Sequence, residues 1–447
     1  MLSVPELLRQ KLAADLVSDS RWCVALSGGL DSSVLLHAIC HLRAEFNRVA
    51  IRAIHVNHGL HPGSAEWASA CEIFCAKLGV PLRSEVVRID PGAGDGLESA
   101  ARRARYGLFS AALDKGEYLL TAHHQDDQIE TVLLRLLRGA GTHGLAGIAE
   151  RRQFATGWLL RPLLECSRQQ LEAYARTTGI EWVDDPSNVD TSIDRNYLRH
   201  EIAPRLRDRW PGLAHTVSRA ARLAQESAGL LDDLAEADGR NLIVGEKVDA
   251  AALSSLNGPR QRNLIRYLVR SRGMAMPSEA QLRAGLDQLM SARIDGQPVL
   301  RWSEGQIRRY RGQLFVLEFD PDPGRAALPS QFQWDGAKPV DMGPVRGRLR
   351  LESGPGGLSR AAWSQGLAIR FRHGGERIRA VGQQHHKSLK KLFQARGIVP
   401  WMRAHVPLLY AGDQLVAVGD LWLAADAAAA PDDSGYRVVW ENHPTTE

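Results

Sequence analysis

The chain has 447 residues, of which 44% are hydrophobic and 24% are charged. This composition excludes an intrinsically disordered protein, and the length is too great for one hydrophobic core, so two or three domains are expected. Lysine and arginine number 56 against 51 aspartates and glutamates, and the resulting net charge of +5 permits a polyanionic partner without requiring one.

Short apolar runs alternate with amphipathic stretches through the first two hundred residues. Strands are predicted over 22–26, 51–56, 81–87 and 118–122, and helices over 33–46, 65–78, 97–113 and 127–137. This alternation predicts an α/β fold with a doubly wound, mostly parallel sheet. Ligands of such sheets bind beyond the C-terminal ends of the strands, where Ser27, His55 and His123 fall.

The pattern changes after this first domain, which is expected over 1–215. A middle helical and α+β domain is predicted over 216–325, a connector rich in Pro and Gly over 326–360, and a small α+β C-terminal domain over 361–440. The five cysteines are scattered, which argues against a disulfide framework. No signal-peptide core and no run of about 18 uncharged apolar residues occurs, so a cytoplasmic protein without membrane contact is expected.

The strongest motif is SGGLDSS at 27–33, directly after a predicted strand and before a predicted helix. Gly28 and Gly29 can adopt positive φ and leave their amides uncovered, so the loop can form a nest of N–H donors that suits a phosphate. Asp31 would repel that phosphate unless a cation such as Mg²⁺ lies between them. A tight turn with Asp31 and Ser32 as helix caps is the alternative.

This motif resembles the PP-loop of the N-type ATP pyrophosphatases. The resemblance implies that residues 1–215 form a PP-loop catalytic domain, that the loop binds the pyrophosphate end of ATP, and that pyrophosphate is released. Asp31 is the expected Mg²⁺ ligand. The residues expected to bind ATP are Ser27, Gly28, Gly29, Leu30, Asp31, Ser32, Ser33 and His55.

Further segments resemble one family of this superfamily, the tRNA(Ile)-lysidine synthetases. The run LESAARRARY at 97–106 resembles the family signature E-x-x-AR-x-x-RY. On a helix Arg102 and Arg105 fall on one side, so two guanidinium groups could face phosphate together. A solvated basic helix face is the alternative for these arginines.

The run AHHQDDQIET at 122–131 resembles the family pattern A-H-H-x-x-D-x-x-E-T. The resemblance implies that Asp127 and Glu130 hold the lysine substrate and that His123 lies near the nucleotide. Acids three residues apart are neighbours on a helix and suit an ammonium group. Helix capping by Asp126 and Asp127 is the alternative, and both roles can hold together.

Segments that resemble the tRNA-contacting parts of the family follow at 184–188, 195–204 and 370–409. Glycines at 139, 141, 144 and 147 predict a mobile loop that closes over substrate, with a domain hinge as the alternative. Basic side chains supply phosphate contacts to RNA, although a solvated helix end is the alternative for those at 195–200. The residues expected to bind tRNA are Arg195, Asn196, Arg199, Arg205, Arg370, Arg372, Lys387, Lys390 and Lys391.

The resemblance implies a two-step reaction on tRNAIle with a CAU anticodon. The C2 oxygen of the wobble cytidine attacks the α-phosphate of ATP, and the ε-amine of free L-lysine then displaces AMP. Asp127 or His123 is expected to accept the amine proton. The expected catalytic residues are Asp31, Arg102, Arg105, His123 and Asp127. A homodimer is left open by the sequence.

Two rival functions remain. A tRNA thiolase with a PP-loop commonly needs paired cysteines, and no CxxC occurs in this chain. A nucleotide-gated RNA-binding module without chemistry belongs to another class. Asp31, Asp127 and Glu130 count against that module, because simple phosphate binding has no use for so many acids.

Overall fold

The structure is a computed structural model. It describes residues 2–13, 20–45, 49–57, 59, 63–87, 97–293, 296–318, 331–343, 345–363, 366–444 and 446, apart from the side chains of residues 97–99 and 363. The chain divides into two compact units, Met1–Asp233 and Leu234–Glu447. Within the described residues, no helix combines the length and the apolar character that crossing a membrane requires.

Helices and strands alternate through the first unit. They are α1 (Val4–Leu12), β1 (Arg21–Ala25), α2 (Leu30–His41), β2 (Ala50–Asn57), α3 (Ser64–Leu78), β3 (Leu82–Val86), α4 (Leu97–Ala112), β4 (Tyr118–Leu120), α5 (Gln125–Leu137), α6 (Thr142–Leu145), β5 (Arg151–Phe154), β6 (Gly157–Leu160), α7 (Arg168–Thr178), α8 (Asp194–Tyr197), α9 (Ala203–Arg209) and α10 (Leu213–Leu242), which continues into the second unit. A 3₁₀ turn (Pro186–Val189) and a π-helical turn (Leu198–Ile202) follow α7 and α8.

The six strands of the first unit form one sheet in the order β3-β2-β1-β4-β6-β5. The first five of these strands are parallel, and β5 pairs antiparallel with β6 at the edge. The predicted doubly wound, mostly parallel sheet is therefore confirmed. The β5–β6 hairpin, whose strands are four residues long, is not among the predicted elements.

Both faces of this sheet are covered. Trp22 and Val24 of β1 belong to one core together with side chains of α1, α2, α3 and α7, whereas Cys23 between them belongs to a second core with Phe109 and Leu113. Successive residues of a strand point to opposite faces, which explains this division. The C-terminal edge of the strands is consequently the place where a ligand can reach the sheet.

The second unit contains short strands and helices. They are β7 (Ile243–Val244), β8 (Lys247–Asp249), α11 (Ala250–Ser254), α12 (Gly258–Ser271), α13 (Glu279–Ser291), β9 (Val299–Arg301), β10 (Gly305–Tyr310), β11 (Gln313–Glu318), β12 (Gln331–Trp334), β13 (Val340–Asp341), β14 (Arg348–Pro355), β15 (Leu358–Ser359), α14 (Arg360–Trp363), β16 (Leu367–Arg370), β17 (Arg377–Ile378), β18 (Lys387–Ser388), α15 (Leu389–Arg396), β19 (Leu408–Ala411), β20 (Gln414–Val418), β21 (Trp422–Leu423) and β22 (Ser434–Glu441). The sheets have the orders β7-β8-β11-β10-β9, β12-β16-β19-β20-β21, β13-β14-β22-β15 and β17-β18.

The stretch 326–360, expected as a connector, instead contributes strands to these sheets. β12 pairs with β16, and β14 pairs with β22 along its whole length, from Arg348 opposite Glu441 to Pro355 opposite Ser434. Glycines with positive φ at 343, 347, 356 and 357 form turns between these strands, which accounts for the composition that resembled a connector. Residues 319–330 lie outside the described part of the chain, and the other domain bounds stay predictions.

Gly157, the first residue of β6, occupies a position with no room for a side chain. A Cβ there would lie 2.0 Å from the carbonyl oxygen of Glu117. Gly157→Ala is expected to lower the free energy of unfolding by on the order of 2 kcal/mol, because β6 must move away from β4. Urea unfolding followed by circular dichroism measures this loss.

Gly107→Ala is the matched control for this prediction. A Cβ at Gly107 meets nothing within 4 Å, and alanine in a helix interior is up to about 1 kcal/mol more favourable than glycine. Equal stabilities of the two variants would contradict the expected clash at Gly157.

Candidate active site

Of the two glycines in the loop between β1 and α2, only Gly28 has the positive φ that the sequence allows for both; Gly29 has a φ of −79°, and its N–H donates to Oγ of Ser27 at 3.3 Å. Gly28 has a φ of +85°, which L side chains rarely adopt, and a Cβ there would lie 3.1 Å from Sγ of Cys71. The hydroxyl oxygens of Ser27 and Ser32 are 3.0 Å apart, and the backbone N–H of Ser27 donates to Oγ of Ser32 at 3.1 Å. Because α2 begins at Leu30, its positive N-terminal end faces the loop. This geometry suits a phosphate group.

Asp31, in the first turn of α2, is ion-paired within the chain. Nη1 of Arg168 donates to its two carboxylate oxygens at 3.1 and 3.0 Å, and Nε2 of His124 lies 3.6 Å from its Oδ2. Neither Arg168 nor His124 is a predicted site residue, because only the tertiary fold brings them to the loop. The side chain of Asp31 is 27% exposed, so a cation that arrives with a nucleotide can reach it.

The start of α5 carries a reciprocal helix cap. The backbone N–H of His124 donates to Oδ2 of Asp127 at 3.0 Å, and Nδ1 of His124 accepts from the backbone N–H of Asp126 at 3.2 Å. Oδ1 of Asp127 accepts at 3.5 and 3.4 Å from Arg195 and Arg199. Asp127 therefore caps the helix and still directs one oxygen at cationic groups.

Glu130 is only 1% exposed and is held by two arginines. Its Oε2 accepts from Nε of Arg195 at 2.8 Å, and its Oε1 accepts from Nε of Arg199 at 2.6 Å. A buried carboxylate is costly unless such partners balance it. The fold thus brings the two predicted lysine-binding acids together with two arginines predicted to bind tRNA. We call Asp127, Glu130, Arg195 and Arg199 the acid–arginine cluster.

The surroundings of these groups shift their pKa values. Burial opposes the charge of Asp127, but the neighbouring His124 and Arg195 lower its pKa to about 2. Burial alone would lower the pKa of His124, whereas the carboxylates of Asp127 and Asp31 raise it above its usual value. Burial lowers the pKa of His123 to about 3. The His123 imidazole is consequently neutral at pH 7 and a weak proton acceptor.

The other two predicted contacts at the ends of strands are His55 and His123. His55, on β2, is buried, and its Nδ1 donates to the carbonyl oxygen of Leu26 at 2.9 Å. Burial lowers the pKa of His55, which agrees with a neutral ring in this position. Nδ1 of His123 lies 3.0 Å from Oγ1 of Thr121. His55 thus holds the end of β1 in place, and its contact with ATP stays a prediction.

Arginines of α4 and β6 add positive charge beside His123. Arg102 and Arg105 are exposed on α4, and the guanidinium of Arg102 lies 4.9 Å from the ring centre of Tyr106. Arg161, just after β6, has no predicted role although it is buried, and its Nη1 donates to the carbonyl oxygen of Ala149 at 2.5 Å. Burial lowers the pKa of Arg161. Such a group of guanidiniums attracts anions to this edge of the sheet.

The segment predicted as a mobile glycine loop is instead tied to α5. Its residues 142–145 form α6, and Nη1 of Arg135 donates to the carbonyl oxygens of Gly144 and Gly147 at 2.9 and 2.6 Å. The side-chain oxygen of Gln128 accepts from the backbone N–H of Ile148 at 2.6 Å. Sequence could not indicate these contacts, because glycine content predicts turns and does not reveal what holds them.

The predicted tRNA contacts of the first unit divide into internal and exposed groups. Both hydrogens of the Asn196 side-chain amide are used inside the fold, since Nδ2 donates to the carbonyl oxygens of Ser187 and Asp190 at 2.9 and 3.0 Å. Arg205 is exposed, and its Nη2 lies 3.4 Å from Glu201. Arg195 and Arg199 belong to the acid–arginine cluster. Among the three arginines of this predicted set, therefore, only Arg205 presents an exposed guanidinium.

Several predicted tRNA contacts of the second unit are exposed basic side chains, as phosphate binding requires. Lys387, Lys390 and Lys391 are exposed around the start of α15. Arg370 lies 3.9 Å from Asp413, and Nε of Arg372 lies 3.6 Å from Glu376. The three lysines therefore present the clearest cationic surface among these residues. Phosphate contacts of an RNA have this chemistry.

Family models match three parts of the chain. They are a PP-loop domain over residues 4–206, a TilS substrate binding domain over 249–315 and a TilS substrate C-terminal domain over 367–440. The acid–arginine cluster and the loop at 27–33 both fall within the first match. The three exposed lysines fall within the third.

Curated relatives match nearly the whole chain. A tRNA(Ile)-lysidine synthase from Alkalilimnicola ehrlichii is 42% identical, and the match covers 99% of each chain. The chain belongs to the tRNA(Ile)-lysidine synthase family. The tRNA(Ile)-lysidine synthases from Coxiella burnetii and Methylococcus capsulatus are 37% and 38% identical and cover 96% of this chain in both cases, with 95% and 98% of their own lengths.

In this member of the tRNA(Ile)-lysidine synthase family, loss of the buried Glu130 charge should be costly. Glu130→Gln is expected to lower the free energy of unfolding by on the order of 2 kcal/mol, because two guanidiniums lose their counter-charge. Their partial exposure, 25% for Arg195 and 31% for Arg199, moderates the cost. Urea unfolding measures it.

The matched control is Glu226→Gln on α10. Glu226 pairs with Arg222 on the surface and its side chain is 58% exposed, so its loss should cost no more than about 0.5 kcal/mol. A loss at Glu130 no larger than the loss at Glu226 would contradict a stabilising role for the acid–arginine cluster.

Proposed function

We propose that this protein ligates free L-lysine to C2 of the wobble cytidine in the CAU anticodon of tRNAIle, through an adenylated cytidine and with release of AMP and pyrophosphate. The observation that carries this proposal is the end-to-end match to curated tRNA(Ile)-lysidine synthases, 42% identical over 99% of both chains in one case. The reaction needs a triphosphate site, an amine site and an RNA surface. The chain offers a candidate for each of these three sites. Because the substrate is a tRNA, the cytoplasm is the proposed compartment.

The loop at 27–33 is the proposed site for the pyrophosphate end of ATP. Its amides and the N-terminus of α2 attract anionic oxygens, and the hydroxyls of Ser27 and Ser32 lie in the same curl. Arg102 and Arg105 are proposed to add charge that stabilises the developing negative charge on the phosphates. By binding the triphosphate in one place, these groups would position the α-phosphate for attack.

Asp31 fits a Mg²⁺ ion that arrives with the nucleotide. Among the described residues no group of three or more His, Cys, Asp or Glu side chains could hold a metal by itself. Mg²⁺ commonly takes one or two carboxylates together with phosphate oxygens, which suits a single partly exposed aspartate beside a phosphate loop. When bound there, Mg²⁺ supplies charge neutralisation at the phosphates.

Asp127 and Glu130 are the proposed lysine site, and their arginine partners indicate how lysine enters it. Free lysine carries two ammonium groups and one carboxylate at neutral pH. An ammonium that replaces a guanidinium beside Glu130 keeps the cluster neutral, and the lysine carboxylate offers the displaced Arg195 or Arg199 a new partner. Lysine binding is then an exchange of ion pairs.

The amine must lose a proton before it attacks C2 of the adenylated cytidine. Asp127 has a pKa of about 2 and His123 a pKa of about 3, so both are unprotonated at neutral pH and each can accept that proton. Their low pKa values make either group a weak base. One proton is therefore proposed to leave before the attack, because an ammonium nitrogen has no lone pair to offer C2. A second proton leaves once the nitrogen has bonded to C2, when that nitrogen is more acidic and a weak base suffices.

Each unit is proposed to contribute its own RNA contacts. They are Arg205 in the first unit and Arg370, Arg372, Lys387, Lys390 and Lys391 in the second. Exposed cations of this kind bind phosphates without reading the base sequence. Bases of an anticodon loop are single-stranded and can be presented to a pocket at low cost.

A labelling assay tests the proposed reaction. The purified protein with ATP, radiolabelled lysine and total tRNA is expected to produce acid-insoluble label without any sulfur source. Prior digestion of the tRNA with ribonuclease should abolish that label. Protein that is folded by circular dichroism and yields no label would contradict the proposal. Light scattering on the same sample tests the homodimer that the sequence leaves open.

Two substitutions test the division of labour between the ATP site and the lysine site. Asp31→Ala is expected to reduce tRNA-dependent release of pyrophosphate by about 100-fold or more, because charge on the phosphates is no longer balanced. Asp127→Asn is expected to raise the KM for lysine by about tenfold and to change pyrophosphate release less.

The control for both is Asp194→Asn, which neutralises an acid that is 72% exposed and paired with Arg138. It should change neither quantity by more than about twofold. Near-normal pyrophosphate release in Asp31→Ala would remove Asp31 from the ATP site. Equal loss of both steps in Asp127→Asn would assign Asp127 to the nucleotide.

A further inference from the structure

We propose that His124 is a positioning residue that fixes the distance between the nucleotide site and the lysine site; this inference rests on the proposed function. His124 is 3% exposed. Its Nε2 lies 3.6 Å from Oδ2 of Asp31 and 3.5 Å from Oδ2 of Asp127. Asp31 belongs to α2, which follows the phosphate loop, and Asp127 belongs to α5, which carries the lysine-binding acids. One imidazole nitrogen thus contacts both sites.

The hydrogen bond at the other ring nitrogen decides where the ring hydrogen lies. Nδ1 faces the backbone N–H of Asp126 at 3.2 Å, and since an N–H can only donate, Nδ1 accepts. The ring hydrogen is therefore on Nε2, where it faces the carboxylates of Asp31 and Asp127. Both distances are longer than an ordinary hydrogen bond, so the N–H acts on the two carboxylates through electrostatic attraction at close range.

The arginines of the site do not make this connection. Arg168 contacts Asp31, and Arg195 and Arg199 contact Oδ1 of Asp127, so each of these arginines lies within ion-pair distance of one of the two carboxylates only. His124 contacts both on their facing sides. Without its N–H, two like charges would face each other and move apart.

His124 also caps α5, and two substitutions separate capping from positioning. Asparagine places its side-chain oxygen near the position of Nδ1, so it keeps the cap, but it has no donor that reaches the carboxylates. Glutamine places an amide N–H near the position of Nε2, so it keeps the donor, but it is a poor helix cap.

The expected results in the full chain are opposite for the two variants. His124→Asn should keep the Tm within about 2 °C of the parent protein and raise the KM for lysine by about tenfold. His124→Gln should lower the Tm by about 4 °C or more, and its lysine KM should be restored to within about threefold of the parent value. A lysine KM that stays normal in His124→Asn but rises in His124→Gln would show that His124 is a helix cap alone and would overturn the inference.

Asp127→Asn shows which idea has failed if these results do not appear. An unchanged lysine KM in Asp127→Asn contradicts the proposed lysine site, and the inference falls with it. A raised KM in Asp127→Asn together with a normal KM in His124→Asn contradicts only the positioning role. A variant that combines His124→Asn with Asp127→Asn should have a lysine KM no higher than that of Asp127→Asn alone, because His124 acts through Asp127. Additive increases would contradict that route.

Discussion

Negative charge that is largely removed from water is the constraint around which the first unit is organised. Three carboxylates of α2 and α5 meet at the C-terminal edge of the sheet, and each requires a partner that is cationic or directs an N–H at it. The partners come from elements far apart in the chain, so the helices after the sheet are held to the phosphate loop by charge as well as by packing. The carboxylates are those of Asp31, Asp127 and Glu130, and the partners are His124, Arg168, Arg195 and Arg199.

The proposed lysine site has charges that are already balanced, so we expect it to bind its substrate by exchange of ion pairs. Each substrate group replaces a side chain of the protein, so the affinity reflects the difference between two ion pairs and not the full strength of either. A cation of the wrong size or shape gains little from such an exchange, whereas lysine can satisfy an acid and an arginine at once. Under the proposed function, selectivity for a small zwitterion is expected to follow from this balance of charges.

Sequence alone predicts the parts of the site that depend on local rules. The phosphate loop follows from two glycines between a strand and a helix, and the parallel sheet follows from alternating periodicities. The partners of the acids do not, because Arg195 lies 65 residues after Glu130 and 68 after Asp127, and no local pattern records that contact. The strands between 326 and 360 were not predicted, because the glycines in the turns between them gave this stretch the composition of a connector.

The pairing of β14 with β22 has a consequence for biosynthesis. β22 is the last strand of the chain that the structure describes, and it lies between β14 and β15 in its sheet. After β15 the ribosome must add more than 70 residues before β22, the strand that pairs with both β14 and β15, is complete. Until then β14 and β15 expose unpaired backbone edges, which are templates for aggregation. The first unit, whose sheet is complete by Leu160, can fold well before that moment.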